Sequence, residues 1–172
     1  MKTKIIYRSI FMFALIMINI GCDQISKNIV RNKMSYDQEI DLLNKHLIIT
    51  RVENTGAFLS LWNSLSGTLR LVTLLLLPLS AIIFGLVYLF RKSNLPLPVL
   101  VGLCCVTGGG IGNLYDRFIH GSVTDFLYMN LVIFHTGIFN LADVSITTGI
   151  IIILINIYFN KTSLTQGDQN VA

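Results

Sequence analysis

Asp116, Arg117, Asp125 and Asp143 are among the few charged residues in the second half of the chain, and apolar segments flank them on both sides. Charge beside a membrane-length apolar run is costly, so it tends to be kept for a reason. Two carboxylates brought close together cannot both ionise freely; one pKa rises and the pair shares a proton. Such a pair can activate water through its ionised member and protonate a leaving amine through the other. Asp125, in the loop before the last apolar segment, and Asp143, near the start of that segment, are placed to form one. Asn140 precedes Asp143 by about one helical turn, so the two side chains face the same way. Lys27 and Arg117 could neutralise or orient acids nearby. No combination of serine, histidine and acid competes, and no metal-ligand spacing is present.

Plainer readings exist for each charge. Asp116 and Arg117 could form only an interfacial ion pair, and Asp125 alone reads as a loop acid. Asp23 and Lys27 are four apart on one helical face, which suits an ion pair with Lys27 snorkelling to the interface. Asp143 is harder to set aside, because a carboxylate inside an apolar span needs a partner. A proton-coupled transporter would spread its acids through the membrane depth and show an internal repeat. Here the acids gather toward one face and no repeat is evident, while a non-catalytic scaffold would leave the polar blocks without a role.

The elements that must position these groups are set by composition. The 172 residues are 53% hydrophobic and only 13% charged, about half the roughly 25% charged share of soluble domains. Mean hydropathy is +0.68, and the apolar runs are long enough to cross a bilayer. The expectation is an integral membrane protein, mainly α, in a single domain over residues 1–160 with a polar tail over 161–172. Spans are expected over about 5–22, 69–90, 97–113 and 137–159. Lys2, Lys4 and Arg8 before an apolar run ending at Gly21-Cys22 resemble a secretory signal, but further long spans and Asn19 favour a first transmembrane helix. Pro78 should kink the second span, and Gly102, Gly108, Gly109, Gly110 and Gly112 should let the third pack closely. Cys22, Cys104 and Cys105 read as small hydrophobes rather than a disulfide framework.

The loop over 30–67 is polar, marked by Asp37, Glu39, Asp41 and Lys45. Within it the run from His46 to Val52 is β-branched and reads as a strand, Asn54-Thr55-Gly56 as a turn. Residues 57–62 read as a second strand or amphipathic stretch, with Trp62 as an interfacial anchor. A small β-element on the membrane surface follows. With four spans both termini lie on one side, and Lys2, Lys4, Arg8, Arg91, Lys92 and Lys161 assign that side to the cytoplasm. Asp23, Asn54, Arg117, Asp125 and Asp143 then converge on the external face. The net charge of +4 is dispersed near span ends, which suits membrane lipids and not nucleic acid.

Five blocks carry a resemblance. DQISK at Asp23 to Lys27, ENTGAF at Glu53 to Phe58, GGGIGNLYDR at Gly108 to Arg117, SVTDF at Ser122 to Phe126 and FNLADVSI at Phe139 to Ile146 occur in that order. The chain resembles bacterial lipoprotein signal peptidase, the type II signal peptidase, from about Ile5 to Phe159. The resemblance implies an intramembrane aspartyl endopeptidase of the bacterial inner membrane, without a cofactor, whose catalytic dyad falls on Asp125 and Asp143. Supporting positions fall on Asp23, Lys27, Asn54, Gly56, Asn113, Arg117, Asn140 and Ala142. The implied substrates are prolipoproteins carrying a diacylglyceryl group on a cysteine, cleaved just before it, beneath a cradle built from the first loop. Gly56-Ala57-Phe58 departs from the family's usual Gly-Ala-Ala-Phe. Which aspartate is acid and which base stays open, since the pair titrates as one unit.

Overall fold

The computed structural model describes residues 2–36, 38–56, 67–131 and 134–169. Among them, four helices are long and apolar enough to cross a membrane: Thr3–Lys33, Val72–Arg91, Leu97–His120 and Leu141–Asn160. The elements run α1 (Lys2–Lys33), β1 (Glu39–Leu42), β2 (Leu47–Asn54), α2 (Gly67–Leu71), a π turn (Val72–Leu76), α3 (Leu77–Arg91), α4 (Leu97–His120), β3 (Val123–Leu131), β4 (Phe134–His135) and α5 (Leu141–Gln169). The expected mainly helical membrane fold with a small β-element is what the chain forms. Residues 57–62, with Trp62, and Asp37 lie outside the described residues.

Several boundaries differ from those read in the sequence. α1 continues past the apolar span and Cys22, as far as Lys33, because its polar far half is covered by α4 and β3. α4 continues past Asn113 to His120 and is closed by Gly121, whose φ of 74° suits a residue without a Cβ. α5 starts at Leu141 rather than Gly137, since the backbone of Phe139 is already paired with β3: Leu127 N–H donates to Phe139 O at 2.8 Å and Phe139 N–H to Leu127 O at 2.8 Å. At its other end α5 is helical to Gln169, into the segment read as a polar tail. At Pro78 the chain forms a widened turn, in which Leu77 N–H reaches back to Val72 O just ahead of the ring that cannot donate.

The largest difference concerns Asp125, which lies on a strand and not in a loop. β3 pairs antiparallel with β2, with Val52 opposite Asp125 and Asn54 opposite Val123. The sheet order is β1-β2-β3-β4, so the β-element of the first loop recruits two strands from between α4 and α5. β3 reads Val-Thr-Asp-Phe-Leu-Tyr-Met-Asn-Leu, a composition that favours a strand once a distant partner is present.

α4 is the central helix: 44% of its apolar window is buried, against 11% for α1 and 17% for each of the other two spans. Met12, Ile16, Leu89, Leu100 and Cys104 form one core cluster along it. Val30, Met34 and Phe126 form a second, which fastens the end of α1 to β3. Ser145 Oγ donates to Asn19 Oδ1, tying α5 to α1. The outward faces stay apolar and exposed, as at Phe13, Phe84 and Ile155, which suits contact with lipid.

Close approach of α4 and α5 depends on absent side chains. A Cβ at position 102 would lie 2.7 Å from both Gly149 O and Ile153 Cγ1. Gly102→Val is therefore expected to push the two helices apart and lower stability by about 1–3 kcal/mol. Thermal unfolding in detergent measures this, and an unchanged midpoint would contradict the packing argument.

Candidate active site

The polar groups are organised around Lys27. Its ammonium donates to Asp23 Oδ2 at 2.8 Å and to Asn113 Oδ1 at 2.8 Å, and pairs with Asp116 Oδ2 at 3.2 Å. The ammonium thus meets three oxygen acceptors, two by hydrogen bond and one as an ion pair. Lys27, Asp23 and Asp116 are each 0% exposed, so the Asp23–Lys27 pair is internal and Lys27 does not snorkel. Buried charge of this kind survives only when every partner is in place. Arg31 Nη2 adds a second cation 2.9 Å from Asp116 Oδ2, which leaves the cluster of two acids and two bases formally neutral. Asp116 therefore pairs across to α1 and not with Arg117. Neighbours on a helix point about 100° apart, and Arg117 turns instead toward Gly56, whose carbonyl accepts from Nη2 at 3.3 Å.

From this cluster two links reach α5. Ala142 N–H, in the first turn, donates to Asp23 Oδ1 at 3.0 Å, an anion held at a helix N-terminus. Asn113 Nδ2 donates to Asp143 Oδ1 at 2.9 Å. A side chain at position 112 would strike Asp23, since a Cβ there falls 2.5 Å from Oδ2; only glycine admits the carboxylate.

Asn140 joins the two aspartates. Its backbone N–H donates to Asp143 Oδ2 at 3.1 Å, and its Oδ1 accepts from Asp143 N–H at 3.0 Å. The reciprocal bonds have the form of a capping box and start α5 where they do. The remaining side-chain group, Nδ2, donates to Asp125 Oδ1 at 2.6 Å. Asn54 Nδ2 donates to Asp125 Oδ2 at 2.9 Å, while its Oδ1 accepts from Gly56 N–H at 3.0 Å in the expected turn. Asp125 and Asp143 thereby line one cavity of about 140 Å³ with Asn54, Asn113, Asn140 and Arg117. Burial pushes the Asp125 carboxyl up to about 6; the Asn54 hydrogen bond opposes that rise and the nearby Asp143 adds to it. A second cavity of about 420 Å³, lined by Phe134, Phe139, Val144 and Thr148 among others, shares Asp143 with the first.

The ten positions given by the resemblance meet here: Asp23, Lys27, Asn54, Gly56, Asn113, Arg117, Asp125, Asn140, Ala142 and Asp143. Others belong with them. Gln24 Nε2 donates to Asp23 Oδ2 at 3.0 Å and Asp116 Oδ1 at 3.1 Å. Arg31 Nε donates to Thr124 Oγ1 at 2.7 Å, and Thr124 Oγ1 donates to Glu53 Oε1 at 3.0 Å. Arg31 could have been found, since Asp23, Lys27 and Arg31 recur every four residues on one helical stripe.

Comparison with known proteins gives this arrangement a family. The model of the family described as "Signal peptidase (SPase) II" matches residues 15–159. The chain belongs to the signal peptidase II family. It is 33% identical over 142 residues to the lipoprotein signal peptidase of Bacillus velezensis, covering 81% of this chain and 88% of that protein. Against the lipoprotein signal peptidase of Brucella ovis it is 37% identical over 152 residues, covering 87% and 88%. A solved bacterial membrane enzyme structure aligns with a TM-score of 0.79 at 25% identity, covering 89% of this chain and 90% of that one. Signal peptidase II membership makes the chain a multi-pass membrane peptidase that removes signal peptides from lipoproteins.

Lys27→Met leaves two buried aspartates with too little positive charge. Stability should fall by about 3–5 kcal/mol, read as a lower unfolding midpoint in detergent. Asp23→Asn added to Lys27→Met should recover part of the loss, and a pair that recovers none would contradict the charge argument.

Proposed function

We propose that this peptidase is an intramembrane aspartyl endopeptidase that uses water held between Asp125 and Asp143 to cut prolipoproteins just before a diacylglyceryl-modified cysteine. The observation that carries this reading is Asn140, which binds both carboxylates and so holds them on one cavity where α4, α5 and β3 meet. One carboxylate takes a proton from water as the oxygen attacks the scissile carbonyl. The other carboxyl protonates the carbonyl oxygen, and the resulting diol collapses with proton transfer to the leaving nitrogen. With one shared proton the dyad carries a single negative charge, which the Arg117 guanidinium on the same cavity balances. Asn113, Asn54 and Asn140 set the orientation of the carboxylates. Asp23, Lys27 and Ala142 hold the helix ends, and Gly56 anchors Arg117.

The apolar cavity beside Asp143 suits a lipid-bearing substrate. A diacylglyceryl chain lies in the membrane already, so a site at the ends of α4 and α5 is reached laterally from the bilayer. We assign the protein to the bacterial inner membrane, among its lipids, with both termini cytoplasmic and the dyad facing outward. Arg8 Nη2 donates to Leu89 O at 3.0 Å and Lys92 O at 2.5 Å, so the start of α1 and the end of α3 meet at one basic end, as the positive-inside rule requires of the cytoplasmic side.

Purified protein incubated with diacylglyceryl-modified prolipoprotein tests the reading. Asp125→Asn and Asp143→Asn should each keep the wild-type unfolding behaviour and lower cleavage on the order of a thousandfold or more; full activity in either would sink the dyad. Because the dyad must retain one proton and Asp125 sits at about 6, kcat/KM should fall as pH rises past that value. Precursor without the lipid should be cut poorly, and equal cleavage of both forms would remove the lipid from recognition.

A further inference from the structure

We infer that Asp143 is the carboxylate that deprotonates water and Asp125 the carboxyl that holds and delivers the shared proton. The inference rests on the dyad reading above and divides its roles by the unequal settings of the two side chains. Asp143 occupies the first turn of α5, where free N–H groups favour an anion. It accepts from Asn140 N–H at 3.1 Å and from Asn113 Nδ2 at 2.9 Å. The Asn113 amide cannot turn over, because its Oδ1 is held 2.8 Å from the buried Lys27 ammonium. A flipped amide would set NH₂ against the ammonium and oxygen against the Asp143 carboxylate. A cation thus acts on Asp143 through one fixed amide, which makes Lys27 and Asn113 positioning residues for the base.

Asp125 has no hydrogen-bonded relay to a cation; Lys27 acts on it only through space. Asp125 lies on β3 and not on a helix, and is 4% exposed. Its donors, Asn54 and Asn140, are neutral amides at 2.9 and 2.6 Å, and each oxygen keeps a lone pair on which the proton can sit. Burial has already moved its carboxyl up to about 6, whereas Asp143 is only partly buried and can be reached by water. The other charged and titratable groups facing Asp143 are Arg117 on α4, Lys27 and Asp23 of α1 behind Asn113, and His135 of β4 across the apolar cavity. Arg117 borders the cavity shared by both aspartates and acts on Asp125 at least as strongly as on Asp143, so the distinction rests on the helix start and on the Asn113–Lys27 link.

The cycle then closes without another reactant. Asp143 takes a proton from water as its oxygen bonds to the scissile carbon, and Asp125 gives its proton to the carbonyl oxygen. On collapse Asp143 protonates the departing nitrogen as the C–N bond breaks, and Asp125 recovers a proton from the diol. The acid and amine products leave the dyad in its starting state.

The pH dependence of kcat/KM in Asn113→Ala and Asn54→Ala separates the roles, with Asn113→Ser and Asn54→Ser as substitutes should either alanine variant fail to unfold cooperatively. Losing a donor disfavours the ionised form of the carboxylate that it served, so the limb which that carboxylate sets moves to higher pH. Asn113→Ala should move the acidic limb up by about one pH unit and leave the alkaline limb; Asn54→Ala should do the reverse. Exchanged limbs, both limbs moving together in each variant, or a fall that is uniform with pH would overturn the assignment. The dyad itself would fail separately, by activity surviving in Asp125→Asn or Asp143→Asn.

Discussion

One buried ammonium holds the structure's polar half together. Lys27 donates to Asp23 on its own helix and to Asn113 on α4 and is ion-paired with Asp116, and through Asp23 and Asn113 it fixes the first turn of α5. Taking a lysine out of water costs several kcal/mol, and the cost is met only when partners surround it. The arrangement therefore has little freedom: α1 must continue past its apolar stretch, α4 must carry glycine at 112, and α5 must begin at the right residue. Removing any one of these leaves a charge stranded.

The second constraint is the sheet. β3 is flanked by β2 on one side and by the backbone of Phe139 on the other, and the chain passes directly from Phe139 to Asn140. A strand position and a helix-start position are thus brought together by backbone pairing, and the Asn140 side chain completes the link. In the proposed chemistry this matters because a shared proton requires two carboxylates held at a defined separation. Amide donors achieve that without adding charge, while Lys27 supplies charge from behind Asn113. Water-excluding surroundings strengthen each of these interactions relative to solvent.

Much of this was legible in the residues. Apolar runs and glycine spacing indicated the spans and their close packing, and the three-residue step from Asn140 to Asp143 is a local signal of a helix start. The β-branched run from His46 to Val52 reads as a strand, and β2 covers Leu47–Asn54. What escaped was non-local. Asp125 read as a loop residue because its strand partner comes from before the second span, and pairing at that separation leaves no periodic trace in a short window. Asp116 read as the partner of Arg117 because adjacency in sequence is visible and the reach of α1 across α4 is not. Lys27 read as snorkelling because nothing in α1 alone shows that α4 and β3 cover its polar face.

The central claim is that both carboxylates engage one reacting carbon. A diacylglyceryl lipopeptide with a hydroxyl-bearing, uncleavable carbon in place of the scissile carbonyl can be bound and its complex solved. The account predicts the hydroxyl within about 3 Å of carboxylate oxygens from both Asp125 and Asp143, with the lipid against the apolar cavity beside Asp143. A lipopeptide whose hydroxyl contacts neither aspartate, or sits in a different cavity altogether, would contradict it.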